Sequence, residues 1–480
     1  MSLGAVALLA SRLHAVQPPS APAAAEWRWF VGGTGASGYT VADTAGRPTD
    51  DAGASATLRA TAGSAMTTSS FVTLGGRLRA DSLRGRRVRL SAELRPRAAG
   101  TAAIWLRVDG GQKTIELANT MIDEPLRGTA DWTSRRVVLP IPAEAQQVVL
   151  GVQLLGGGEV DVRRFRVDVL PALDANAPVG PAARAELDSA IAIARRRSLW
   201  RDTVSWDAAE SAARARAAGA ETARDAYPAV RLLLSRLGDH HSFLMGPQPA
   251  PSERPSERAA ASLAENPTPI VRPDRGDVGY VSIFGFSGGD TAAIRAYAER
   301  MHDALREVAP SARCGWIVDL RDDTGGNMWP MIAGLRPFLG GGVLGTFAGP
   351  RPDDRTPWRA AFPSAPPPPR TLAPLERANV AVLTGPRTAS SGEAVTVSFR
   401  GRPRTRSFGD PTRGLSTANQ GFMLPDGAVL VLTVSVYEDR AGRRYGEQIA
   451  PDEIVPYTDD AVQRAREWLT RSSGCRVAGS

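Results

Sequence analysis

The spacing of apolar residues changes twice along the 480-residue chain. From about residue 26 to 170, short runs alternate with period two or are apolar throughout. Examples are Arg87-Val88-Arg89-Leu90-Ser91-Ala92-Glu93-Leu94, Ala103-Ile104-Trp105-Leu106-Arg107-Val108 and Arg136-Val137-Val138-Leu139. Gly, Asp and Pro clusters separate them at short intervals, which predicts an all-β, jelly-roll-like sandwich. From about residue 181 to 244 the spacing becomes helical. Val230, Leu233, Leu234 and Leu237 fall on one face, and Gly238 supplies the stop. Residues 248–275 are rich in Pro, Ser and Glu and read as an exposed loop or linker. Beyond them strands and helices alternate: a strand at 278–283, an amphipathic helix at 292–308, buried strands at 315–320 and 380–383, and a strand at 429–436. That order predicts an α/β fold. The Pro-rich stretch 352–374 reads as loop.

This pattern divides a chain too long for one core into several parts. Residues 1–25 form a candidate signal peptide, 26–172 a sandwich of the galactose- or carbohydrate-binding kind, and 181–247 a helical subdomain. Residues 248–275 follow as linker, 276–460 as α/β core, and 461–480 as C-terminal helix and tail. The apolar run at 4–10 is too short to span a membrane, and Ala23-Ala24-Ala25 offers a small-residue cleavage site. No positive side chain precedes the run. The chain therefore leans towards periplasmic or secreted placement, with the cytoplasm as the alternative. Trp105 and Trp132 are candidate sugar platforms, with packing the favoured role.

Charge narrows the partners. The net charge is +8, yet every basic side chain except Lys113 is arginine, interspersed with acids. No aromatic-plus-basic signature accompanies them, so no nucleic-acid partner is expected. The two cysteines, Cys314 and Cys475, make no metal spacing, and the residues leave open whether they pair. No metal or cofactor is expected.

The candidate chemistry centres on Thr388-Ala389-Ser390-Ser391-Gly392-Glu393, placed between the apolar run Val380-Ala381-Val382-Leu383 and a helical continuation. A hydroxyl on a strand-to-helix turn is well placed as a nucleophile, because orphan N–H groups at the helix start favour negative charge. The simpler reading is a capping box from Ser390 to Glu393. A nucleophilic Ser390 needs a base. The only lysine lies in the β-rich part, and of the four histidines only His240 and His241 sit in a loop just past a helix end. Gly325-Gly326, shortly after the strand ending Asp319-Leu320, can bring backbone N–H groups close to an anion.

Four motifs, in order "GDHHSF", "GWIVDLRDDTGGN", "VAVLTGPRTASSGEAV" and "YGEQIAPDEIV", together resemble the C-terminal-processing (tail-specific) serine peptidases, in the Ser/His branch related to the tricorn core. The resemblance spans roughly residues 181–457. It implies a crotonase-like catalytic domain cleaving peptide bonds through an acyl-enzyme. It further implies Ser390 as nucleophile, His241 as general base, and Gly325 or Gly326 with the Ser391 N–H as oxyanion site. Glu447 is the first choice for the acid that orients His241, with Asp439 second. The glycine loop departs from the family pattern, reading Asp-Thr-Gly-Gly where Asn-Pro-Gly-Gly or Asn-Gly-Gly-Gly is commoner. His240 stands where Gly or a small residue is usual. The partner expected is a peptide or protein, with a glycan or protein ligand possible for the sandwich. Two other readings stand beside this one: an inactive binding or scaffold protein that uses the sandwich, and an esterase using the same Ser/His pair.

Overall fold

The computed structural model describes residues 28–475 apart from 49, 51, 64–69, 112, 173, 175, 248–262, 264–265, 276, 364 and 457–459. The candidate signal and most of the candidate linker lie outside the described residues. The chain forms two compact units, Met1–Pro178 and Val179–Ser480.

In the first unit, two antiparallel sheets enclose one core. One sheet runs Phe30–Gly32, Phe71–Arg79, Gln147–Leu155, Ala99–Gly110, Lys113–Asn119, with Leu126–Gly128 beside Ala99–Gly110. The other runs Tyr39–Ala45, Ala54–Ala60, Glu159–Leu170, Arg87–Arg97, Thr133–Pro140. Period-two alternation explains the packing: Val88, Leu90 and Leu94 meet Leu74, Ile104, Leu106 and Leu150 inside. The arginines that look scattered in sequence gather on the outer face of the second sheet. There Glu93 bridges Arg163 and Arg164, Glu159 bridges Arg59 and Arg97, Asp161 bridges Arg95 and Arg97, and Asp168 bridges Arg89 and Arg166. Trp132 belongs to this lattice, with the Arg163 and Arg95 guanidinium carbons 4.1 and 4.8 Å from its ring centre. Trp105 lies over Gly151 and donates its indole N–H to Thr73 Oγ1 at 2.9 Å. Both tryptophans thus pack within the unit.

The second unit is built on a six-stranded sheet in the order Ile270–Asp274, Val278–Ser282, Gly315–Asp319, Val380–Thr384, Thr405–Gly409, Glu453–Ile454, parallel except for its first strand. Gly315–Asp319 and Val380–Thr384 are buried at every position, as strands covered on both faces must be. The helices Thr291–Val308, Met328–Gly334 and Ser391–Phe399 cover one face, with Trp316, Val318 and Val382 beneath them. Ala461–Ser473 covers the other, setting Ala461, Ala465 and Leu469 on Ile317, Ala381 and Leu383. A disulfide joins Cys314, just before the central strand, to Cys475, just after that helix.

A second, antiparallel sheet runs Phe243–Met245, Val429–Asp439, Val343–Ala348, Arg355–Arg359, with Thr417–Met423 alongside Val429–Asp439. The helices Pro181–Arg197, Trp206–Arg216 and Tyr227–Ser235 bury Leu187, Val230, Leu233 and Leu234 against its Leu430 and Leu432. Residues 181–247, anticipated as a subdomain, therefore share a core with the rest of the unit.

Two stretches read as loop contain strands. Ile270–Asp274, inside the anticipated linker, pairs antiparallel with Val278–Ser282, and Arg355–Arg359, inside the Pro-rich stretch, pairs with Val343–Ala348. Each is the last strand of its sheet, where proline costs no ladder bond on the open side.

Candidate active site

Two neighbouring parallel strands bring the serine turn and the glycine loop together. Asp319 and Leu383 are register partners, so the loops leaving both strands emerge side by side at their C-terminal ends. Ser390 sits at the N-cap of the helix Ser391–Phe399 with φ 53° and ψ −114°, a backbone conformation that non-glycine residues rarely adopt. Several bonds hold it there. The Ser390 N–H donates to Glu393 Oε2 at 2.8 Å, Thr388 Oγ1 donates to the Leu320 carbonyl at 2.7 Å, and Ser391 Oγ donates to the Gly326 carbonyl at 2.5 Å.

Glu393 ties the turn to a third segment. It is fully buried and also accepts from Thr412 Oγ1 at 2.5 Å, the Gly414 N–H at 3.0 Å and the Leu415 N–H at 2.8 Å. Burial raises its carboxyl above the ordinary value, and these donors oppose that rise.

The glycine pair is required by shape. Gly325 has φ +100°, and a Cβ there would lie 2.7 Å from the Ala389 carbonyl oxygen and 2.9 Å from Ser390 Cβ. At Gly326, φ is +102° and a Cβ would lie 2.1 Å from the Phe286 carbonyl oxygen. The Gly325 N–H donates to Asp323 Oδ1 at 3.1 Å. The Ser391 N–H opens a helix, where an amide has no intrahelical acceptor.

His241 arrives from the other sheet. Its loop is an Asx turn in which Asp239 accepts the His241 N–H at 2.9 Å and the Ser242 N–H at 2.6 Å, while Asn419 Nδ2 donates to the His241 carbonyl at 2.8 Å. Nε2 lies 2.9 Å from Ser390 Oγ, and Nδ1 lies 2.7 Å from Thr417 Oγ1. Burial lowers the imidazole below its usual value, and the Asp239 charge opposes that shift. A hydroxyl within hydrogen-bond reach of an imidazole that burial holds towards the neutral form, beside a helix N-terminus and a glycine loop, is an arrangement chemically suited to attack on a carbonyl.

Residues 277–455 match peptidase family S41. The chain carries an S41 peptidase domain. Its enzyme class is serine peptidase, a hydrolase. The chain is 25% identical over 276 residues to the nisin-resistance protein of Lactococcus lactis subsp. lactis, covering 56% of this chain and 82% of that one. It is similar to a solved lipoprotein from Streptococcus agalactiae, with 25% identity and a TM-score of 0.52 over 62% of this chain and 98% of that one. A shorter match, 32% identical over 91 residues, is to the HTH-type transcriptional regulator YbfP of Bacillus subtilis. It spans 19% of this chain and 31% of the regulator.

Within the S41 domain and the elements before it, the structure brings together Ser390, His241, Gly325, Gly326 and Ser391. It does not bring Glu447 or Asp439 to His241. The Glu447 residue is exposed, and its backbone carbonyl accepts from Ser416 Oγ. Asp439 closes a turn, accepting from the Ala441 and Arg443 N–H groups and from the Tyr445 hydroxyl at 2.8 Å. Thr417 occupies the place expected for an acid. No motif marks it, because it is set opposite the histidine by the register of Thr417–Met423 on Val429–Asp439. His240 is exposed.

Proposed function

We propose that the chain hydrolyses peptide bonds through an acyl-enzyme, with Ser390 as nucleophile and His241 as general base. The observation behind this reading is the 2.9 Å approach of His241 Nε2 to Ser390 Oγ across a separation of 149 residues. His241 takes the Ser390 proton as Oγ attacks the carbonyl, then protonates the leaving amine, and water releases the acyl group. For Nε2 to accept, Nδ1 carries the hydrogen and donates to Thr417 Oγ1. The oxyanion is held by the N–H groups of Gly326 and Ser391. Gly325 contributes its lack of a side chain, since its own N–H is engaged by Asp323.

The substrate adds as a strand to a sheet edge beside the site. Thr417–Met423 suits this role: its named strand partner is Val429–Asp439, and Gln420, Gly421 and Met423 are exposed. The catalytic unit is read as crotonase-like and the first unit as a jelly-roll-like sandwich with a glycan or protein ligand. Secretion or a cell-envelope location fits the disulfide and the lipoprotein and nisin-resistance relatives.

The test is labelling by a fluorophosphonate probe of the wild type, Ser390→Ala and His241→Ala, followed by peptide and short acyl-ester substrates. Labelling lost in both variants, with peptide cleavage, is the expected result. A folded wild type that does not label overturns the reading in favour of a binding protein. Turnover of esters without peptides turns it into an esterase.

A further inference from the structure

Asp323 is a carboxyl group enclosed without a counter-charge. It is fully buried in the glycine loop. Its Oδ1 accepts the Gly325 N–H, its backbone carbonyl accepts the Ala389 N–H at 3.0 Å, and its Oδ2 has no hydrogen-bond partner. A Cβ placed on Gly392, in the first turn of the serine helix, would lie 2.8 Å from Asp323 Cγ. The residue thus lies under both sides of the site: its backbone carbonyl holds the residue before the nucleophile, and its carboxyl holds the N–H of the residue before Gly326 and abuts the first turn of the serine helix.

Among the described residues, the surrounding groups supply no cation. On its own loop, Arg321 is bonded to Asp319 and Asp322 pairs with Arg387. On the serine helix, Glu393 directs both oxygens to Thr412, Gly414, Leu415 and Ser390. From the helix Thr291–Val308, Tyr297 interacts with the Asp323 charge. Its hydroxyl is buried without a partner, and burial and that charge both raise it. His241, beyond Ser390, is itself held towards the neutral form by burial. An ionised carboxylate here would lack both solvent and counter-ion, so its neutral form is favoured. Burial pushes the Asp323 carboxyl up to about 7, against the Gly325 N–H.

We propose that Asp323 is a positioning residue that is protonated in the reactive state, and that its ionisation shuts the site down at alkaline pH. The inference rests on the peptidase reading above. A neutral carboxyl keeps the Gly325 N–H in place without adding charge. The anion would grip that N–H more tightly. It would also set negative charge beneath the Gly326 and Ser391 N–H groups, opposing the charge that develops on the substrate oxygen. An asparagine would keep the acceptor and could never ionise.

The test is the second-order rate of fluorophosphonate labelling as a function of pH, for the wild type and Asp323→Asn, within the range where circular dichroism is constant. The wild-type rate should rise as His241 loses its proton, then fall about tenfold per pH unit on the alkaline side. Asp323→Asn should keep the rising limb and lose the falling one, a change that a purely structural role would not produce. An alkaline limb that persists in the variant, or is missing from the wild type, overturns the proposal.

Should the variant fail to fold, isotope-edited infrared spectroscopy of Ser390→Ala carrying labelled aspartate provides a second readout. A protonated carboxyl band at mildly acidic pH that vanishes near neutrality is expected, and its absence overturns the proposal. Wild-type protein that never labels refutes the peptidase reading instead, while the infrared band still reports whether Asp323 holds its proton.

Discussion

Replacing Thr417 with Val keeps the shape of the side chain and removes the oxygen 2.7 Å from His241 Nδ1. The backbone of Thr417–Met423 stays paired to Val429–Asp439, so the imidazole faces a methyl group where it had a partner. Leaving a buried polar nitrogen unpaired costs about 1–3 kcal/mol. If that cost falls wholly on the transition state, where Nδ1–H must stay oriented as the ring takes a proton, the rate drops about 5- to 150-fold. Loss of the buried carboxylate from a Ser-His-Asp triad costs about four orders of magnitude, because an ionised partner also stabilises the imidazolium. A hydroxyl cannot do that, so the Thr417→Val loss should lie well below the triad figure. The assay is the second-order rate of fluorophosphonate labelling with folding checked by circular dichroism, which needs no knowledge of the substrate. A loss of about 10,000-fold would mean that an acid acts through Thr417. An unchanged rate would mean that Thr417 does not orient the ring. Either result refutes the reasoning.

Four further outcomes can be checked. Gly326→Ala should abolish labelling and lower the denaturant midpoint by the equivalent of about 2 kcal/mol or more, since the new methyl meets the Phe286 carbonyl at a positive φ; an active, equally stable variant would contradict the loop geometry. Burial lowers the His241 value, so the base stays neutral into acid, and the acid limb of the labelling rate should lie below the ordinary imidazole value. Asp239→Asn, which removes the charge opposing that shift, should move the limb lower still; a limb moving upward would show that the Asp239 charge does not act on the ring. Glu393→Ala should cost several kcal/mol in urea unfolding, because the Ser390, Gly414 and Leu415 N–H groups and the Thr412 hydroxyl lose their acceptor together. A change under about 1 kcal/mol would argue that the carboxylate is dispensable.

What the chain reveals by itself depends on how locally each feature is encoded. Ser390 and Gly325-Gly326 are legible because a strand, a breaker and a helix start lie within a dozen residues of each, and His241 because it follows a helix stop directly. Thr417 is 176 residues from His241 and meets it only through hairpin pairing, so nothing in the neighbouring sequence marks it. Glu447 and Asp439 were attractive because a histidine base usually has an acid behind it. The fold turns one outward and closes a surface turn with the other. Glu393 was visible as a helix cap, whereas its hold on Thr412, Gly414 and Leu415 depends on a loop 19 to 22 residues away. The strands Ile270–Asp274 and Arg355–Arg359 were hidden by proline, a breaker in mid-sheet that an edge tolerates. The arginines looked dispersed because period-two alternation scatters along the chain what a sheet collects on one face.

The bond between Cys314 and Cys475 makes a ring of the chain between them, with the N-terminal arm before Cys314 outside it. Gly326, Ser390 and Thr417 lie on the ring, and His241 lies on the arm. The exposed residues 351–354 are also on the ring, between the glycine loop and the serine turn. A single cut there opens the ring into a branched molecule and releases no fragment, so the mass rises only by the water consumed until a reductant parts the two pieces. Separating the nucleophile from its glycine loop requires either two events, a cut and a reduction, or two cuts. The exposed stretch 351–354 can therefore be nicked while Gly326, Ser390, Thr417 and His241 remain in one covalent piece.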